Sequence, residues 1–226
     1  MTTPSIRELK AVPLLVHLRA SELKPIAHAM RQVSYSNRKV IFSQGAHCDG
    51  LFIVKAGQVK LLRVSQDKEQ LIALLGKHDP LDLVPFLDGG PHSMTACARG
   101  PVTLYLIDYA TAHDLIWNTP LLLSAVMNAV SARLRHLAAI ATDLAFKDVN
   151  ARVCKALLDQ AKAQGKRYRG GVRIERTLSE REFASMVGTV REVAWRSLKK
   201  LEDDGLLKID RRQITLLDLE RLAARA

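Results

Sequence analysis

Aromatic residues make up only 5% of the chain, too few for the stacked platforms on which proteins lay single-stranded bases. There are three cysteines, Cys48, Cys97 and Cys154, far apart and odd in number. They form no C-x-x-C pair, zinc spacing or disulfide framework, and they fall short of the four thiolates of an iron–sulfur cluster. Such usage suits a reducing cytosol. No run approaches 18 apolar residues, and the opening MTTPSIRELK has no apolar signal core. Neither membrane spanning nor secretion is expected, so the chain is read as cytoplasmic. The sequence also lacks His-x-His, H-E-x-x-H, G-x-S-x-G and Walker patterns. An enzyme on a cupin-like barrel would need a clustered His/Glu ligand set, so neither a catalytic set nor a metal site is expected.

What is present is ordinary globular composition, 48% hydrophobic and 25% charged over 226 residues, with a core of Leu, Val, Ile and Ala. The formal net charge is +11, and it is unevenly placed. Residues 1–145 hold 15 basic and 11 acidic side chains, whereas residues 146–226 hold 19 and 12. The shorter part carries most of the excess, the footprint of a polyanion-binding end.

Residues 37–107 read as all-β. Short runs at Val40–Phe42, Leu51–Lys55, Val59–Val64, Leu71–Leu75 and Val102–Ile107 alternate with glycines at sandwich-or-barrel spacing. LFIVKAGQVKLLRV reads as a hairpin turning at Ala56–Gly57. Ahead of it, Ala20–Arg31 reads as a short helix capped by Ser21. From Pro120 the period changes. Leu123, Val126, Val130, Leu134, Leu137, Ala141 and Leu144 advance by threes and fours, which makes one long helix with a nearly heptad seam. That seam packs either on its own β domain or against the same helix of a second subunit, and the homodimer is the preferred reading. Lys147–Gln164 continues as a helix stopped by Gly165, and KRYRGG reads as a basic loop.

The most informative stretch is TLSEREFASMVGTVREVAWRSLKKLEDDGLL. Ser179-x-x-Glu182 and Thr189-x-x-Glu192 are two capping boxes, separated by Gly188, which predict a helix-turn-helix. On the second helix Val193, Ala194, Ser197, Leu198 and Leu201 share one face. Arg191, Glu192, Trp195, Arg196 and Lys199 share the other, an arrangement suited to reading base edges. A solvated face of ion pairs would use the same charges, but not an exposed Trp195. LLKIDRRQITLL reads as a two-stranded wing with Arg211 and Arg212 at its tip, set for phosphate contact.

With these residues in place, the chain from about residue 10 to its end resembles the CRP/FNR (catabolite activator) family of bacterial transcription regulators. The resemblance covers the β-roll, LDGGPHSMTA in the effector-loop position, the long dimer helix and VGTVREVAWRSLKKLEDDGLL. It implies an α+β chain: an N-terminal β-roll like a cyclic-nucleotide-binding domain at 1–118, a dimerisation helix at 119–146, and a winged helix-turn-helix at 147–226. It further implies a homodimer on a palindromic double-stranded operator, with RNA polymerase as a partner. Arg191, Glu192 and Arg196 match the family's base-reading Arg-Glu-x-x-x-Arg pattern, implying a half-site close to TGTGA. Trp195 departs from it, since a small residue is usual there. Ser179, Thr189, Lys199, Arg211 and Arg212 complete the DNA-binding set.

In the sensor half the chain departs from the cyclic-nucleotide cassette, where Arg neutralises the phosphate and Glu accepts from the ribose hydroxyl. Asp82 stands for the Gly, Leu83 for the Glu and His92 for the Arg, while Ser93 persists. The effector pocket is assigned to Leu81, Leu83, His92, Ser93 and Met94, with a ligand other than cyclic AMP. Haem stays open as an alternative effector, with His17, His47, His78 and His92 as candidate axial ligands, as does redox sensing. Cys48 reads as the more reactive thiol and Cys97 as a buried, inert one. A ligand-binding module that uses its winged helix for protein contacts is the remaining alternative.

Overall fold

Helix starts are set locally. Ser5 opens α1 (Ile6–Lys10) through a capping box, its hydroxyl accepting from Glu8 N–H while the Glu8 carboxylate accepts from Ser5 N–H. At α2 (Ala20–Ala29) the cap is Arg19, whose N–H donates to the Glu22 carboxylate at 2.6 Å. Ser21, expected as the cap, lies inside the first turn. The computed structural model describes residues 3–65, 68–168 and 170–226.

Among the described residues the chain forms two antiparallel sheets. In the first, β1 (Arg31–Tyr35), β2 (Val40–Phe42), β3 (Gly50–Ser65), β4 (Lys68–Leu75) and β5 (Thr95–Asp108) are arranged around β5. One edge of β5 pairs with β3 along its length, and the other with β1 and β2. The expected hairpin at Ala56–Gly57 is a correction: β3 runs straight through it, and both halves face β5. The register shifts on either side of Ala56, so the two residues form an irregularity within one strand. Gly57 has φ +89°, and a Cβ there would meet the Pro101 carbonyl at 2.4 Å. Only glycine fits so close to a neighbouring strand. The alternation of β3 then feeds two cores. Leu51 and Ile53 join a cluster with Leu15, Leu18, Leu23 and Ile26, whereas Phe52 and Val54 join Val59, Leu61, Ala96 and Leu104.

Between β4 and β5 lies α3 (Pro85–Asp88), and after β5 come α4 (Tyr109–Asn118) and α5 (Pro120–Phe146). α4 and α5 are bent by 106° and bury Ala112, Ile116, Leu122 and Val126 in the first core. No single helix among the described residues is long and apolar enough to cross a membrane. The chain divides into two compact units, Met1–Leu137 and Ala138–Ala226, so the division falls inside α5.

The second unit starts from the C-terminal end of α5. Asp148 caps α6 (Val149–Gln164). KRYRGG is partly strand: β6 (Lys166–Tyr168) pairs with β7 (Gly171–Glu175), and Arg169 of that expected loop lies outside the described residues. Then come α7 (Glu180–Met186), α8 (Arg191–Asp203), β8 (Leu207–Ile209), β9 (Gln213–Leu216) and α9 (Leu219–Ala223). The sheet order β6-β7-β9-β8 brings the C-terminal hairpin beside β7. Val153, Leu157, Ile174, Phe183, Leu198, Leu201 and Leu216 form its core.

Candidate nucleic-acid interface and ligand cavity

Ser179 caps α7 by a full capping box with Glu182, as its spacing predicts. The second box is absent. The N-cap of α8 is Val190, and Thr189 sits in the turn with its N–H donating to the Ala184 carbonyl at 3.0 Å. Gly188, at φ +70°, makes the turn that pulls Thr189 out of cap position. Arg152 on α6 clamps this turn: its Nε donates to the Val187 carbonyl at 2.7 Å and its Nη2 to that of Gly188 at 3.3 Å. Ser197 Oγ donates to Asn150 Oδ1 at 2.6 Å, tying α8 to α6. Nothing in the sequence marks Arg152, because a basic residue on an amphipathic helix gives no local sign of a partner 35 residues on.

Ala194, Ser197, Leu198 and Leu201 are the buried face of α8, and Arg191, Glu192, Arg196 and Lys199 are exposed. Trp195 is a correction. It is only partly exposed and packs against the core of this unit. Arg176 lies over its ring at 5.9 Å and Lys199 at 5.4 Å. The indole therefore faces back toward the segment ahead of α7. Arg191 Nε donates to Glu180 Oε2 at 2.8 Å, and Arg176 Nη2 to Glu180 Oε1 at 3.4 Å. Lys199 donates to Glu202 at 2.7 Å and, by that bond, holds the Glu202 carboxyl below the usual carboxylate range. Arg211 and Arg212 are exposed at the tip between β8 and β9.

The long-helix seam is divided. Val126 is fully buried in the chain's own core, and Leu123 and Val130 pack against that core. Leu137 packs on the sheet. Val126, expected to face a second subunit, is thereby corrected: a side chain already covered has nothing left to offer a partner. Leu134 is 68% exposed, Ala141 is exposed and Leu144 is 43% exposed. Met127, seven residues before Leu134 and 50% exposed, shares this open face, while Phe146 at the end of the helix is 86% exposed on another side.

In the first unit a cavity of about 580 Å³ is bounded by Leu61, Leu75, Leu81, Leu83 and Met94 of the sheet and its loop, with Arg133 from α5. Leu81, Leu83 and Met94 thus line it as assigned, and His92 and Ser93 do not. His92 is turned inward, stacked on Phe42 with ring centroids 3.7 Å apart, and its Nδ1 lies 3.3 Å from Asp82 Oδ2. Ser93 N–H donates to the same oxygen at 2.8 Å. Asp82 lines the cavity yet its oxygens are taken up by the loop it closes. Burial lowers the Arg133 guanidinium from its ordinary value, while Asp79 and Asp82 pull it back up. Of the imidazoles considered for haem, His17 reaches the cavity, His47 is exposed and His78 sits in a turn at φ +76°. Among the described residues no group of three or more His, Cys, Asp and Glu could hold a metal ion. Cys48 is buried, and burial pushes its thiol up to about 11, which corrects its reading as the reactive one. Cys97, expected to be buried, is only half-buried on β5.

Comparison with known proteins matches both halves. The cyclic nucleotide-binding domain family matches residues 32–118, and the Crp-like helix-turn-helix domain family residues 151–225. The chain is 28% identical over 207 residues to a CRP-like cAMP-activated global transcriptional regulator of Mycobacterium tuberculosis, covering 91% of this chain and 92% of that one. In fold it is similar to CooA of Carboxydothermus hydrogenoformans, with TM-score 0.80 at 22% identity, covering 99% and 96% of the two chains. It is also similar to the c-di-GMP responsive global regulator CLP of Xanthomonas campestris, with TM-score 0.77 at 25% identity, covering 88% and 100%. A sheet domain of the cyclic-nucleotide-binding type, a long connecting helix and a winged helix-turn-helix, matched along nearly the whole chain, place this protein in the CRP/FNR family of transcription regulators.

Proposed function

We propose that the chain is a homodimeric, sequence-specific DNA-binding regulator that acts in the cytoplasm, contacts RNA polymerase, and answers to a ligand other than cyclic AMP. One observation carries the DNA-binding part: Arg191, Glu192 and Arg196 stand exposed within the first two turns of α8, a helix tied to α6 through Asn150 and preceded by a turn that Arg152 clamps. Forked arginine donors suit guanine O6 and N7, and a carboxylate suits cytosine N4. Ser179, Thr189, Lys199, Arg211 and Arg212 hold phosphates around them. A two-fold dimer through Leu134, Ala141 and Leu144 would set two such helices one DNA turn, roughly 34 Å, apart. Selection from random duplexes tests this. A palindrome with half-sites close to TGTGA is expected, and it should disappear in the Arg191→Ala/Arg196→Ala variant. An unchanged consensus in that variant would overturn the assignment.

The ligand reading rests on the cavity walls. A cyclic phosphate would find Leu83 where an acceptor for the ribose is needed. His92, in the position of the phosphate-binding arginine, is turned away and bonded to Asp82. Arg133 already faces Asp79 and Asp82. Losing an Arg–phosphate pair and a Glu–hydroxyl bond removes about 1.5–3 kcal/mol each, on the order of a hundredfold or more in affinity. Calorimetry with cyclic AMP should show no micromolar binding, and such binding would refute this reading of Leu83 and His92.

A further inference from the structure

Arg191 is not a free side chain awaiting a base. Its Nε is already bonded to Glu180 Oε2 at 2.8 Å, across the turn from the first residue of α7 to the first of α8. Glu180 is itself held from the other side, since its second oxygen accepts from Arg176 Nη2 at 3.4 Å. Arg176 is anchored in turn. Its Nη1 donates to the Asp210 carbonyl at the wing at 3.3 Å, and its guanidinium lies over Trp195, one turn along α8 from Arg191. The bulky residue that departs from the family pattern and the acid that binds Arg191 thus belong to one chain of contacts. That chain runs from the wing, through Arg176 and Glu180, to Arg191.

We propose that Glu180 is a positioning residue for base recognition. By occupying Nε it fixes the plane and direction of the Arg191 guanidinium, and the two Nη groups are left to donate end-on to a guanine. Arg176, lodged between the wing carbonyl and the Trp195 ring, keeps Glu180 from following Arg191 into other rotamers. The proposal rests on the reading of α8 as the base-reading helix and adds what sets its geometry. Two physical consequences separate it from a structural role. A free arginine has many rotamers and reaches phosphates as well as bases, so a fixed one loses less conformational freedom on binding and discriminates better. A carboxylate at this place also repels the DNA backbone, so its removal should strengthen binding to unrelated DNA. The pair is 64% and 34% exposed on its two sides, so it contributes little to folding, and its removal should leave the unit intact.

The test uses the full-length protein. Equilibrium binding of wild type, Glu180→Gln, Glu180→Asp, Arg191→Ala and Glu180→Gln/Arg191→Ala would be measured on the selected palindrome, on that palindrome with the Arg191 guanine replaced, and on unrelated duplex. Glu180→Gln should lose about fivefold to thirtyfold in discrimination at that base pair, a share of what one bidentate contact supplies. It should bind unrelated duplex more tightly and melt at the wild-type temperature. Glu180→Asp, which keeps the charge, should recover part of the discrimination, and in the Arg191→Ala background Glu180→Gln should no longer change it. Wild-type discrimination in Glu180→Gln, or a loss that persists without Arg191, overturns the proposal while leaving the base-reading assignment standing. If Arg191→Ala itself discriminates as wild type does, the base-reading assignment falls first and the proposal falls with it.

Discussion

Asp82 in the first unit and Glu180 in the second each accept hydrogen bonds from more than one residue, yet they are used in opposite ways. Asp82 is buried, and its partners, Ser93 and the His92 imidazole, belong to the loop it closes. Glu180 is partly exposed, and its partners are the largely covered guanidinium of Arg176 and the open one of Arg191. The same division runs along α5, where Val126 is covered by its own chain and Leu134 is left open. Groups committed inside a unit fix its shape, while groups left open set what it can meet. Changes at the first kind should therefore cost folding, and changes at the second should cost recognition.

The sharpest test of that contrast lies on α5. Leu134→Lys should leave the fold intact but dissociate the dimer, because each Leu removed from the interface forfeits about 1.5–3 kcal/mol and the symmetry counts it twice. Sedimentation at micromolar concentration would then show monomer, with operator binding abolished; a stable wild-type monomer would break the comparison at its root. Next in size is Asp82→Ala, which leaves the buried His92 ring nitrogen and the partly buried Ser93 N–H without their partner and should cost about 3 kcal/mol of stability, since hydrogen bonds to a charged group count for roughly 1.5–3 kcal/mol each. Chemical denaturation reads this directly, and an unchanged midpoint would mean that Asp82 is not what closes its loop.

Smaller effects belong to the open groups. Arg196→Ala should cost about 1–3 kcal/mol on the cognate site and relax preference at one guanine. Arg212→Ala should weaken all sequences alike and lower the salt slope by about one unit for each phosphate it ceases to neutralise. If the two variants behave identically in competition titrations, the division into base readers and phosphate holders is wrong. Least of all, Cys48 should react with a thiol reagent at pH 7 far more slowly than Cys97. With its thiol pushed up to about 11, Cys48 holds a thiolate fraction on the order of 10⁻⁴ there. Faster labelling of Cys48, mapped by peptide mass spectrometry, would show that its site opens.

Much of what depended on neighbours three or four residues apart was legible in the sequence, although the Thr189-x-x-Glu192 spacing formed no capping box, since Val190 is the N-cap of α8. The Ser179 capping box, the apolar stripe of α8, the long period of α5 and the basic excess of the C-terminal part all follow from local chemistry, because a helix brings residues i, i+3 and i+4 together wherever it lies. Three other facts rest on partners distant in sequence, and only the tertiary structure decided them. β3 runs on through Gly57 because β5, some 40 residues later, faces both of its halves. Trp195 turns away from the exposed face because Arg176 and the core of its unit receive it. His92 leaves the cavity because Asp82 and Phe42 hold it elsewhere. An imidazole or an indole carries both an apolar body and a polar edge, so its sequence position leaves its direction open, and the surrounding packing chooses it.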